Sequence, residues 1–324
     1  MPSGSSFADP AVVVEDLVIR YGDFTAVDRA NFAAHKGQVT VVLGPNGAGK
    51  TSTIEHLEGF RRAQSGQAKV LGYDPLGDRS KLRYRVGIML QNGGIPMAIR
   101  PIDALRQYAG FFDDPLNPFE VLDQVGLRDQ TRTTFRKLSG GQKQRLSLGL
   151  AIIGRPEVAF LDEPSAGVDL SGRDAISQII RELRDDGVCV IVTTHDLHEA
   201  ESLADRVIII DRGSVVADGT LDELLAGQSV DQVHFSSAST LDEVELTAAI
   251  GSPVEVVSPG EYRVAAPGNK TEAIANIANW CVSHDVELLD VRAGRLRLDD
   301  VFRRLTAQDN ELRAASSETA AGKP

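Results

Sequence analysis

Gly44-Pro45-Asn46-Gly47-Ala48-Gly49-Lys50-Thr51 has the spacing G-x-x-x-x-G-K-[ST]. Residues 38–43 before it are apolar and β-branched and read as a buried strand, and residues 50–57 after it read as a helix. Strand, loop and helix in that order are what this spacing needs to act as a phosphate loop. Gly44, Gly47 and Gly49 let the backbone turn tightly and aim N–H groups inward, and the helix N-terminus adds its dipole. Lys50 brings a point charge to phosphate oxygens, and the Thr51 hydroxyl suits Mg2+. The alternative is a glycine-rich turn with a surface lysine, which would not need a strand and a helix around it.

Further along, Val158-Ala159-Phe160-Leu161-Asp162-Glu163 is an apolar strand that ends in two carboxylates. In a parallel sheet such strand ends open into the ligand crevice. There Asp162 would hold Mg2+ through water, and Glu163 would act on an attacking water as general base. Residues 12–21, 86–90, 188–193 and 206–210 read as further strands, with 214–218 as a hairpin partner of the last. Residues 142–153, 171–183, 197–204 and 220–225 read as helices, and Ile176, Ile179, Ile180 and Leu183 fall on one helical face. Strands that alternate with helices predict an α/β core whose parallel sheet is covered on both faces. Residues 100–138 break the rhythm: helical stretches at 102–112 and 119–125, split by Pro115 and Pro118, read as a helical insertion.

After Gly227 the pattern changes. Short strands at 233–235, 254–257, 262–265 and 286–289, with helices at 241–250 and 272–284, predict a small α+β domain of ferredoxin-like kind. The expected organisation is a first domain over 11–228, with its helical subdomain at about 92–155, and a second over 229–308. The ends, 1–10 and 309–324, read as disordered. The 324 residues fit two domains at roughly 150 residues each. A hydrophobic content of 42% supports a packed core and excludes wholesale disorder. A net charge of −12 argues against a nucleic-acid partner. No run of 18 apolar residues occurs, so no direct membrane span is expected. Residues 1–10 lack a basic start and an apolar run and do not read as a signal peptide. Cys189 and Cys281 form no CxxC pair and read as buried thiols in a reducing cytoplasm.

Leu138-Ser139-Gly140-Gly141-Gln142 opens the helix that follows. Ser139 offers a hydroxyl, Gly140 and Gly141 expose N–H groups, and the helix dipole points the same way. A plain serine cap after a glycine turn is the alternative. With the loop at 44–51 upstream and Leu161-Asp162-Glu163-Pro164 downstream, residues 12–225 resemble the ATP-binding-cassette (ABC) ATPases. The resemblance implies the P-loop NTPase cassette fold, a parallel-sheet core with an antiparallel β subdomain and a helical insertion. It also implies ATP and Mg2+ as cofactors.

Site residues follow from the resemblance one at a time. Tyr21 would stack on adenine. Pro45, Asn46, Ala48 and Ser52 would complete the phosphate loop with Gly44, Gly47, Gly49, Lys50 and Thr51. Gln91 would be the Q-loop glutamine that contacts Mg2+ and water, beside the metal-side groups Thr51 and Asp162. His195 would sense the γ-phosphate. Residues 165–169 resemble the D-loop, which touches the opposite subunit. ATP would lie between the phosphate loop of one subunit and Ser139, Gly140, Gly141 and Gln142 of the other, so activity would need a homodimer or heterodimer. Catalysis would rest on Glu163, His195, Gln91 and Lys50. His195 and His198 stand three apart with Glu199 and Glu201 nearby, but this is not H-E-x-x-H and no third ligand is evident. His198 therefore reads as a solvated helix residue.

The resemblance leaves several function classes: the motor of an exporter, the motor of an importer, or a soluble cassette working on ribosomes, DNA or Fe–S assembly. A single cassette, no long coiled coil and an acidic composition favour a motor that drives an integral membrane permease. Leu-Arg-Leu-Asp-Asp-Val-Phe-Arg-Arg-Leu at 296–305 resembles the L-x-D-V-F-x-x-L ending of export subunits similar to the bacterial daunorubicin-resistance type. That implies export of a drug-like, lipid or other amphipathic substrate. The chain is then expected in the cytoplasm, peripheral on the inner face of the cell membrane through its permease. Gln91-Asn-Gly-Gly-Ile-Pro is richer in glycine than the family pattern, where the membrane partner would dock.

Overall fold

The computed structural model describes residues 10–89, 94–226, 232–266, 269–293 and 298–302. The expected disordered ends lie outside the described residues except for Pro10, as do Gln91 and parts of the 296–305 motif. The chain forms two compact units: the first takes the described residues up to Leu224 together with Phe302, and the second is Leu225–Val301.

The first unit begins with β1 (Val12–Tyr21), β2 (Phe24–Ala34), β3 (Val39–Leu43), α1 (Lys50–Leu57), β4 (Ser65–Val70), α2 (Arg79–Leu82) and β5 (Val86–Met89). A helical stretch follows: α3 (Pro101–Ala109), α4 (Pro118–Gln124) and α5 (Gly140–Ile152). Then come β6 (Val158–Asp162), α6 (Leu170–Asp185), β7 (Cys189–Thr194), α7 (Leu197–Leu203), β8 (Arg206–Asp211), β9 (Ser214–Gly219) and α8 (Leu221–Ala226).

Every residue of β3, β6 and β7 is buried, as strands covered on both faces require. The main sheet has the order β5-β6-β7-β3-β8-β9. Its strands run parallel except β9, which returns antiparallel on β8 as a hairpin. Leu43 pairs with Thr194, and Asp162 with Thr193. The loops after β3, β6 and β7 therefore leave the sheet at the same edge and the same height. Glu157 ties the opposite edge, taking Lys36 at 2.6 Å and Arg85 at 2.5 Å. These two cations hold its carboxyl down at about 2.

A second, antiparallel sheet has the order β2-β1-β4. Its apolar side chains, Leu17, Ile19 and Phe32, join Ile54 and Leu57 of α1 and Phe160 and Ile191 of the main sheet in one core. Only β1 of these strands is evident in the residues. Polar Asp28, Arg29 and Asn31 interrupt β2, and β4 buries only Ala68 and Val70. The helical stretch is where the sequence places it, but its first helix ends at Ala109, before Gly110, and α5 starts two residues early, on Gly140.

The second unit contains β10 (Gln232–Ser237), α9 (Glu243–Ile250), β11 (Val254–Ser258), β12 (Glu261–Ala265), α10 (Lys270–Ser283) and β13 (Leu288–Ala293). Its antiparallel sheet has the order β11-β12-β10-β13, which with the βαββαβ succession is the ferredoxin-like arrangement. Val233, Phe235, Tyr262 and Val264 of the sheet pack on Leu246 and Ile250 of α9 and on Ile277 and Trp280 of α10. The last strand begins at Leu288 and not at Val286, because the Val286 N–H closes the turn after α10 on the Cys281 carbonyl at 2.9 Å.

Both cysteines are free and buried, and burial pushes the Cys189 thiol up to about 12. Among the described residues no helix is long and apolar enough to cross a membrane.

Candidate functional site

The chain turns sharply where β3 ends. A Cβ on Gly44 would stand 2.2 Å from the Ile210 carbonyl oxygen. Gly49 has φ 106°, and a Cβ there would stand 2.3 Å from the Ala26 carbonyl oxygen. The loop is thus wedged between the end of β8 and the start of β2, where only glycine fits. Gly213 buttresses it: its N–H bonds the Ala48 carbonyl at 2.8 Å, and its own carbonyl takes the Asp28 N–H at 2.8 Å. Gly49 caps α1 and no side chain caps that end, which leaves its first N–H groups to an anion. Pro45, Asn46, Gly47 and Ala48 line a cavity of about 380 Å³ with Asp211 and Arg212.

Lys50 is 6% exposed, and its Nζ donates to the carbonyls of Gly44 at 2.7 Å and Pro45 at 3.0 Å. Burial lowers its pKa, opposed by the charges of Glu163 and Asp162. A cation short of water is held in the loop where phosphate oxygens would sit. Thr51 lies exposed on the first turn of α1. The Ser52 hydroxyl lies 2.9 Å from the Tyr21 hydroxyl, which fixes the Tyr21 ring beside that turn. Arg61 covers one face of the ring at 4.5 Å from its centroid, and Glu55 holds Arg61 at 2.6 Å.

The ends of β6 and β7 are stitched together. The Thr193 hydroxyl donates to Asp162 and accepts the Glu163 N–H at 3.0 Å. Burial raises the Asp162 pKa, partly offset by the Thr193 hydrogen bond. Glu163 sits in the left-handed region at φ 47°, a conformation that costs roughly 1–3 kcal/mol in a residue with a side chain. Among the contacts that hold it there are Thr193, the Gln144 amide on its carbonyl at 2.8 Å, and His195, whose Nδ1 lies 3.1 Å from Oε1. A carboxylate only accepts, so Nδ1 carries the proton in that bond.

The structure therefore brings Lys50, Asp162, Glu163 and His195 to one edge of the sheet. Ser139, Gly140, Gly141 and Gln142 stand apart, at the N-terminus of α5. There Ser139 and Gln142 close a reciprocal cap, Oγ on the Gln142 N–H at 3.2 Å and Oε1 on the Ser139 N–H at 3.0 Å. Among the described residues no hydrogen bond or ion pair joins them to residues 44–51. Gln144 links their helix to Glu163. Thr193, Gln144 and Gly213 escape the sequence reading. A threonine at the end of an apolar strand, two residues before a candidate histidine, is the one signal that was there to find.

Among the described residues no three His, Cys, Asp or Glu side chains form a metal site by themselves. Thr51 and Asp162 offer two hard oxygen donors, which suits Mg2+ when phosphate oxygens and water complete the shell.

Known proteins resemble the chain in sequence and in fold. The ABC transporter family model matches residues 27–166. The chain is 33% identical over 318 residues to the daunorubicin resistance ATP-binding protein DrrA3 of Streptomyces coeruleorubidus, covering 95% of this chain and all of that one. It is 28% identical over 303 residues to the linearmycin resistance ATP-binding protein LnrL of Bacillus subtilis, covering 91% of this chain and 97% of that one. Its fold is shared with a dimeric ATP-binding cassette in a post-hydrolysis state bound to ADP and Pi, with TM-score 0.59 and 20% identity over 65% of this chain and 98% of that one. With the phosphate loop, the carboxylate pair and the cassette fold in place, the chain belongs to the ABC transporter family, as an ATP-binding subunit.

Proposed function

We propose that this subunit hydrolyses ATP to power a separate integral membrane permease that exports a drug-like, lipid or other amphipathic compound. The likeness to a daunorubicin resistance protein covers 95% of the chain and takes in the C-terminal unit as well as the cassette. That observation carries the reading. On it, the subunit works in the cytoplasm, docked on the inner membrane face through its permease.

Each site residue then has a task. The loop N–H groups from Gly44 to Thr51 and the Lys50 ammonium bind the phosphates. Adenine takes the face of Tyr21 that Arg61 leaves open. Glu163 accepts a proton from the water that attacks the γ-phosphorus, and His195 holds that carboxylate in line. Thr51, Asp162 and Gln91 would hold Mg2+, which when bound would offset phosphate charge. Ser139, Gly140, Gly141 and Gln142 face ATP from a second cassette, so each site needs two chains. A cassette that shares this fold is itself dimeric.

Tagged Glu163→Gln protein, expressed in its native host and solubilised with mild detergent in Mg-ATP, tests the assignment. A polytopic membrane protein should co-purify in near-equal amount. Recovery with ribosomal or DNA-associated proteins alone overturns the transporter reading.

A further inference from the structure

Two loops of the site meet on one carboxylate that the mechanism above does not use. Glu199 lies in the first turn of α7, behind the Asp196 cap. Its Oε1 accepts the Ser165 hydroxyl at 2.5 Å, and its Oε2 accepts the Thr194 hydroxyl at 2.6 Å. Both donors are buried, at 9% and 2% exposure. Ser165 follows Glu163 by two residues, and Thr194 directly precedes His195. One side chain thus anchors the chain just after the candidate base and just before its histidine partner.

We infer that Glu199 is a positioning residue, one that clamps Ser165 to Thr194 and thereby sets the alignment of Glu163 with His195. This rests on the assignment of Glu163 as the base. The chemistry favours a carboxylate at this place. The two hydroxyls reach different oxygens of Glu199, and a glutamine would put an NH2 donor in place of one of those acceptors. Hydrogen bonds to a charged acceptor are also the stronger kind. Anchors on both flanks bear directly on Glu163, whose left-handed backbone is strained and whose side chain meets His195 at 3.1 Å. Arg173 makes a second crossing between the same loops, to the Val168 carbonyl at 3.2 Å and to Asp196 at 3.3 Å. That ion pair is exposed, so it contributes less.

Steady-state ATPase kinetics on the full-length chain test the clamp, with binding of a fluorescent ATP analogue and the thermal midpoint measured alongside. Glu199→Ala should lower kcat by about tenfold or more, while KM and analogue affinity change less than about twofold. Thr194→Val and Ser165→Ala should each lower kcat in the same way, and Thr194→Ser, which keeps the hydroxyl, should restore it. The Glu199→Ala/Ser165→Ala double variant should lose little more than Glu199→Ala alone, since both remove one linkage. Unchanged kcat in Glu199→Ala, or fully multiplicative losses in the double variant, overturns the inference. If Glu199→Ala does not fold, Thr194→Val and Ser165→Ala decide, and wild-type kcat in both overturns it. Glu163→Gln in the same assay separates the two claims: a wild-type rate there refutes the base assignment, whatever Glu199 does.

Discussion

Lys50 carries its charge where water is scarce, bonded to the carbonyls of its own loop. Phosphate oxygens offer that ammonium a better partner than carbonyls do, so Lys50→Ala should weaken ATP binding by tenfold or more; calorimetric titration with the nucleotide checks this, and wild-type affinity contradicts the phosphate-loop assignment. Gly49→Ala should be harsher than its size suggests, because the new Cβ meets the Ala26 carbonyl and the backbone must hold φ 106°. A fall of several degrees in thermal midpoint, with loss of nucleotide binding, is the expected result. The spacing of Gly49 was legible in the sequence. The reason for it was not, because the strand that crowds it had not been recognised. Glu58 makes a pH prediction. Burial, then the nearby charges of Asp162 and Glu55, pushes its carboxyl up from 4.5 to about 8. Between those values the folded chain keeps a proton that the unfolded chain has lost, so stability falls as pH rises through this window. Glu58→Gln should flatten that decline, raising the midpoint by a few degrees near pH 9 and not at pH 4; equal slopes in both proteins refute it.

At the scale of elements, the site is a property of strand ends. Buried strands β3, β6 and β7 could be read from their apolar runs, and so could the loops they release. Their order in the sheet could not, since β7 lies between β3 and β6 although it follows both in the chain. That order places Thr193 against Asp162 and Glu163. Thr193→Val should therefore leave the fold intact but free Asp162 and the Glu163 backbone, lowering kcat by about tenfold with little change in ATP affinity. A parallel loss of binding would point to the loop after β3 instead. The antiparallel sheet was expected from the family resemblance alone, because the alternation in β2 and β4 is short and its inward positions are largely alanine, which gives a weak apolar signal. Their side chains pack on a neighbouring sheet only along part of their length. The Ser139 turn shows the converse. Its cap is plain in the sequence, but a helix cap and a phosphate contact use the same hydroxyl and N–H groups, and a single chain does not choose between them.

At the scale of the molecule, a cassette and a ferredoxin-like unit share one chain, each with its own core. The second unit was legible as a succession of elements, whereas its sheet order depends on pairings far apart in sequence. The central claim concerns the cassette: Glu163 activates water, while the loop around Lys50 binds ATP. The most direct measurement compares ATP hydrolysis and ATP retention in wild-type and Glu163→Gln protein under the same conditions. The account predicts that hydrolysis falls by about a hundredfold or more while ATP stays bound and a dimer accumulates. A Glu163→Gln protein that hydrolyses ATP at the wild-type rate would contradict it.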